Sequence, residues 1–194
     1  MDLKNREDTA LLLFEEHVLR GKSFTLELVS NHSMSPFLLK GDLIIARRTS
    51  MDKLIPGDLI IYRQGGAHYC IHRFLYKRTA RTDAGQNSNY SYLLITKGDN
   101  LIDLDPPVTE DRFIGRATAI RRGDREIRME NLSWRLINRS LGVISLSQLY
   151  ALKFLLFIKN LFFKDREAPL ANMMKRVLEL PLKLAVLFTR LFTL

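Results

Sequence analysis

VSNHSMSPFLLKGDLIIARR (residues 29–48) sets two apolar runs on either side of a Ser-Met-Ser-Pro connection. Proline fixes its own φ and turns the residue before it away from helix, and Gly41-Asp42 opens the second run. The stretch therefore reads as strand, tight connection, strand. The same grammar continues in both directions: SFTLELV (23–29), DLIIARR (42–48), DLIIYR (58–63), YCIHRFLYK (69–77), YSYLLIT (90–96), FIGRATAIR (113–121) and REIRM (125–129) are rich in β-branched and aromatic residues and bounded by turn formers. A second Gly-Asp pair, Gly57-Asp58 after Pro56, opens another strand, and Asp42 and Asp58 both read as turn aspartates. QGGA (64–67) reads as a hairpin turn, and the polar RTARTDAGQNSN (78–89) as an exposed loop or hairpin tip.

After Asn131 the apolar residues change to a helical period, so the expected fold class is mainly β with C-terminal α-helices. The expected organisation is a short N-terminal helix over 1–22, with Asp8 as a candidate N-cap, a β domain over 23–130, and amphipathic or apolar helices over 131–194. Residues 164–169 should break the helical part in two, and Pro181 should kink or divide the second helix.

The chain has 194 residues, 46% of them hydrophobic, which suits a packed core rather than a disordered tail. Its formal net charge is +9, and residues 132–194 hold ten Lys or Arg against three Asp or Glu. Such an excess calls for an anionic partner. In that third of the chain apolar residues outnumber the charges, which argues against nucleic acid and toward a lipid surface or a protein partner. From 141 to 158 there are 18 residues with a single charge, Lys153, marginal for a bilayer span. Residues 170–194 are apolar yet carry Lys175, Arg176, Lys183 and Arg190, which suits a helix lying on an anionic leaflet. No export signal is legible in the first 23 residues, and one cysteine, Cys70, offers no disulfide framework. A cytoplasmic protein, in part peripheral to the inner face of the cell membrane, is the expectation.

A serine hydroxyl is a weak nucleophile at neutral pH and needs a base within hydrogen-bond reach, commonly oriented by a third group. Residue types alone leave His17, His32, His68, His72 and the lysines open as that base. Alternation along one strand also puts His68, Cys70 and His72 on one face, an arrangement that could bind a metal. Cys70 as a nucleophile is disfavoured, because it and His72 would stand side by side rather than face each other.

Five boxes in order carry a family likeness. Ser33-Met34-Ser35-Pro36 resembles the Ser-Met-x-Pro box of type I signal peptidases, and Pro56-Gly57-Asp58-Leu59-Ile60-Ile61-Tyr62 is similar to the family's second strand. Ile71-His72-Arg73 is similar to the strand that presents the base, Thr96-Lys97-Gly98-Asp99-Asn100 to the Gly-Asp-Asn box, and Phe113-Ile114-Gly115-Arg116-Ala117 to the strand after it. The likeness covers residues 23–120. It implies a signal-peptidase or LexA-like catalytic β domain without a cofactor, in its histidine-base branch, found in the endoplasmic reticulum and archaea. Ser33 would be the nucleophile and His72 the base, neutral near pH 7. Asp105 would be the acid, with Asp103 next in line and Asp99 structural. Asn31, two residues before the nucleophile, would be the candidate oxyanion donor, although glycine or serine is usual there. The implied activity is cleavage of a peptide or protein precursor after small residues. The family's usual membrane segment before the serine is missing from the sequence, so a cytoplasmic substrate such as a peptide leader is expected. Self-cleavage, or a non-catalytic or metal-binding β domain that binds peptide, is the alternative.

Overall fold

The computed structural model describes residues 23–28, 32–65, 68–82, 89–162 and 184. The N-terminal helix read over 1–22, Asn31, His17 and the helix read over 170–194 lie outside or almost wholly outside those residues.

Seven antiparallel strands form one sheet: β1 Ser23–Glu27, β2 Leu43–Arg47, β3 Leu59–Gly65, β4 His68–Thr82, β5 Asn89–Lys97, β6 Phe113–Arg122 and β7 Arg125–Arg128, followed by helix α1, Leu132–Phe162. The spatial order is β1-β2-β6-β3-β4-β5, with β7 pairing β6. β6 organises this arrangement because it is long enough to be shared. One of its edges carries β2, while the other carries β3 beside residues 113–116 and β7 beside residues 119–122. β4 is longer than the sequence suggests. It runs on to Thr82 through residues read as exposed loop or hairpin tip, because each added residue has a backbone partner on β5, as far as Thr82 opposite Asn89. Polar composition marked those residues as solvent-facing, and a hairpin arm satisfies that reading equally well.

The two Gly-Asp pairs build the same device twice. The Asp42 carboxylate accepts from the Leu39 N–H at 2.8 Å, and the Asp58 carboxylate accepts from the Ile55 N–H at 2.9 Å. Each closes a turn that delivers Leu-Ile-Ile into a strand. Gly57 sits at φ 101°, and a Cβ there would come within 2.2 Å of the Asn138 carbonyl oxygen on α1. Only glycine gives both the positive φ and the room.

Four consecutive residues of β3 are buried, 59 to 62, because this strand has protein on both faces. Leu59 and Ile61 join Met34, Phe37, Leu38, Ile44, Ile71 and Leu141 in the larger core, whereas Ile60 and Tyr62 join Met51, Leu54, Phe74, Leu94 and Val108 in a smaller one. The first half of α1 belongs to the larger core. Leu141 and Asn138 are buried there, and Trp134 meets Phe37 edge-to-face with ring centroids 6.3 Å apart. The boundary read near residue 130 falls between β7 and α1, yet the helix after it closes the core of the β domain.

Candidate active site

β4 carries His72 and Arg73 in succession, so their side chains leave opposite faces of the sheet. His72 enters the smaller core's side, 3% exposed, and meets two groups from distant parts of the chain. Its Nε2 lies 2.8 Å from Ser33 Oγ, and its Nδ1 lies 2.6 Å from Asp105 Oδ2. A carboxylate can only accept, so Nδ1 carries the hydrogen toward Asp105; the neutral ring then offers its Nε2 lone pair to the Ser33 hydroxyl. Ser33 is half-buried, with one side open to solvent. Ser33 rather than Ser35 is the hydroxyl at Nε2.

The three aspartates read as candidate acids part company. Asp105 is held at His72: its carboxylate also accepts from Thr96 Oγ1 at 2.7 Å, and its backbone N–H donates to the Thr96 carbonyl at 2.9 Å. Asp103 is exposed. Asp99 is buried on the other face of the sheet, where its two oxygens accept from Arg73 Nε at 2.8 Å and Nη2 at 2.7 Å.

That Arg73–Asp99 pair explains how the serine is placed. Arg73 is fully buried and also donates through Nη1 to the Gly57 carbonyl at 2.9 Å and to Asn138 Oδ1 at 2.8 Å, with its guanidinium 4.9 Å from the centre of the Phe37 ring. A buried guanidinium is tolerable only when its charge and donors are matched in this way. Asp99 thereby fixes the turn after β5. Asn100 of that turn donates its backbone N–H to the Ser33 carbonyl at 2.8 Å and its side-chain amide to the His32 carbonyl at 2.9 Å. Gly98 permits the approach, since a Cβ there would come within 2.7 Å of the Ser33 carbonyl oxygen.

The electrostatics differ from a neutral imidazole near pH 7. Burial is the largest influence on His72 and opposes its charge, but the hydrogen bond to Asp105 and the contact with Cys70 outweigh it and raise the pKa from 6.5 to about 9. Burial also works against the Asp105 charge; the hydrogen bonds from His72, Thr96 and Tyr62 overcome it and hold the carboxyl below its ordinary value. At pH 7 the resting site is therefore an imidazolium–carboxylate pair, with the base form of His72 in the minority.

Three neighbours of the base were not read from the sequence in these roles. Thr96 and Tyr62 both serve the Asp105–His72 pair, the Tyr62 hydroxyl lying 3.2 Å from Nδ1. The alternation of Ile60 and Tyr62 along β3 would have put Tyr62 on the His72 face. Cys70 Sγ lies 3.4 Å from Nε2, so the cysteine does reach the base despite standing beside it on the same strand. His68 is exposed at the far end of β4. Among the described residues no group of three or more His, Cys, Asp or Glu is arranged to hold a metal ion.

A groove of about 1370 Å³, lined in part by Arg47, Arg116, Glu130, Arg135 and Arg139, opens near the start of α1, and Ser33, His72 and Asp105 do not line it. No family model, curated protein or solved structure matches the chain.

Proposed function

We propose that the protein is a serine endopeptidase of the signal-peptidase type, with Ser33 as nucleophile, His72 as general base and Asp105 as the acid that orients it. One observation carries this reading: a hydroxyl, an imidazole and a carboxylate from three separate segments meet in series, 2.8 Å and 2.6 Å apart. The order of the sequence boxes supports the finer assignment to a signal-peptidase or LexA-like catalytic β fold in its histidine-base branch.

The chemistry follows from those roles. Ser33 Oγ attacks the carbonyl carbon of a peptide bond as His72 Nε2 takes its proton, and Asp105 stabilises the imidazolium. The proton then passes to the leaving amine as the C–N bond breaks, which leaves an ester on Ser33. A water molecule, activated by the same nitrogen, hydrolyses that ester. The oxyanion is assigned to the Ser33 backbone N–H and the Asn31 side chain, and loss of such a donor costs roughly 100- to 1,000-fold in rate. The proposed substrate is a peptide or protein precursor with small residues before the cut, met on the cytoplasmic side.

The test is covalent labelling with a peptide-like acylating inhibitor, such as a penem, read by intact mass and peptide mapping. An adduct on Ser33 that disappears in Ser33→Ala and His72→Ala is the expected result. A folded protein that stays unlabelled from pH 7 to pH 9.5, while a control peptidase reacts, would leave a peptide-binding β domain in its place.

A further inference from the structure

Among the described residues helix α1 has two apolar faces, one of them covered by the β domain and the other exposed. Asn138, Leu141, Gly142 and Ser145 are buried against the β domain. On the opposite side Leu132, Leu136, Val143, Tyr150, Phe154 and Phe157 are exposed, between 56% and 73%. At 3.6 residues per turn these six fall within about 60° of one another, a continuous stripe roughly 38 Å long. Arg135, Arg139 and Lys153, all exposed, flank it on one side, and Ser133, Ser140 and Ser147 flank it on the other. Residues 132–162 contain four Lys or Arg and no Asp or Glu.

We propose that this stripe docks the protein in the plane of an anionic lipid leaflet. Charge decides the occupant. Two copies of a helix with cations and no acids beside its apolar seam would bring like charges together, whereas an anionic surface meets the same cations with opposite charge. Arg135 and Arg139 also line the groove at the start of α1, where basic side chains alternate with the acids Asp58 and Glu130. α1 is long and apolar enough to cross a membrane by length and composition. Over residues 138–145 the opposite face of the helix is buried in protein, so along that part lipid can reach one side only, which favours a helix lying in the plane of the leaflet. Aromatic residues toward the C-terminal end, Tyr150, Phe154 and Phe157, suit the level of the lipid headgroups. This inference is independent of the chemistry at Ser33.

The full chain is tested by flotation with vesicles of phosphatidylcholine alone or with added phosphatidylglycerol, beside Phe154→Ser/Phe157→Ser and Arg139→Glu. Both changes lie on the exposed face, and an unaltered far-UV spectrum shows that the variants fold. The parent should bind the anionic vesicles, lose binding as salt is raised, and be released by alkaline carbonate. The double variant should bind at least about tenfold more weakly, and Arg139→Glu about fivefold or more. Binding unchanged in the double variant, equal binding to neutral vesicles, no binding at all, or resistance to carbonate would each overturn the proposal. So would a dimer in light scattering that the double variant dissociates, because the stripe would then belong to a second copy.

Discussion

His72 and Arg73 are neighbours on β4, and the two faces of the sheet treat them in opposite ways. Arg73 is fully enclosed, and its donors go to fixed acceptors on Asp99, Gly57 and Asn138. His72 is also buried, but its contacts are with groups whose protons can move: Ser33, Asp105, Tyr62 and Cys70. One face spends its charge on rigidity, and the other keeps its charge adjustable. The rigid face serves the adjustable one through a short chain of contacts, Arg73 to Asp99, then through the backbone to Asn100 and on to the Ser33 carbonyl.

Replacing Arg73 with Met should be the most damaging change on the fixed face. It strands Asp99 as a buried unpaired carboxylate, a class of change that costs about 3–5 kcal/mol. Urea denaturation should show that loss, with Ser33 labelling lost in parallel. Retained stability with normal labelling would mean that the pair is not what places the serine.

On the adjustable face the matching probe is pH. With His72 raised to about 9, acylation of Ser33 should rise about fiftyfold between pH 7 and pH 9 and then level off. A profile with its midpoint near pH 6.5 would show a base with an ordinary pKa. The stability sign is the reverse of the rate. A histidine whose pKa is raised on folding stabilises fully below 6.5, and that contribution fades as pH climbs through about 9. Thermal midpoints should therefore fall between pH 7 and pH 10 by a step that is missing from His72→Gln.

Asn138 joins α1 to the Arg73 face. Asn138→Ala should cost about 1–3 kcal/mol, because Arg73 loses an acceptor inside the core. Asn138→Asp, which keeps an oxygen there, should recover Ser33 labelling if the loss acts through Arg73. The smallest effect is expected from Cys70→Ala. It removes one of the contacts that raise His72, so the midpoint of the pH–rate profile should move down from about 9.

Much of the sheet was legible because its signals are local. Gly41-Asp42 and Gly57-Asp58 announce their turns through one side chain bonding a backbone three residues back, and the alternation of His72 and Arg73 sends them to opposite faces whatever the rest of the chain does. The polar residues 78–82 left loop and hairpin both open for the same reason. Composition reports exposure, but only a partner strand decides whether exposed backbone is loop or ladder.

The amino-acid order by itself determined the strand boundaries to within a few residues, the change to helical period after residue 131, and the availability of a histidine two residues along the strand from Cys70. Tertiary structure alone decided which aspartate reaches that histidine, since Asp99, Asp103 and Asp105 differ by a few residues in sequence but by a whole sheet face in space. It also decided the ionisation of His72. Burial and the hydrogen bonds that His72 makes to Asp105 and Cys70 act over a few ångströms and fall away quickly, so they exist only once β3, β4 and the segment around Asp105 have packed together.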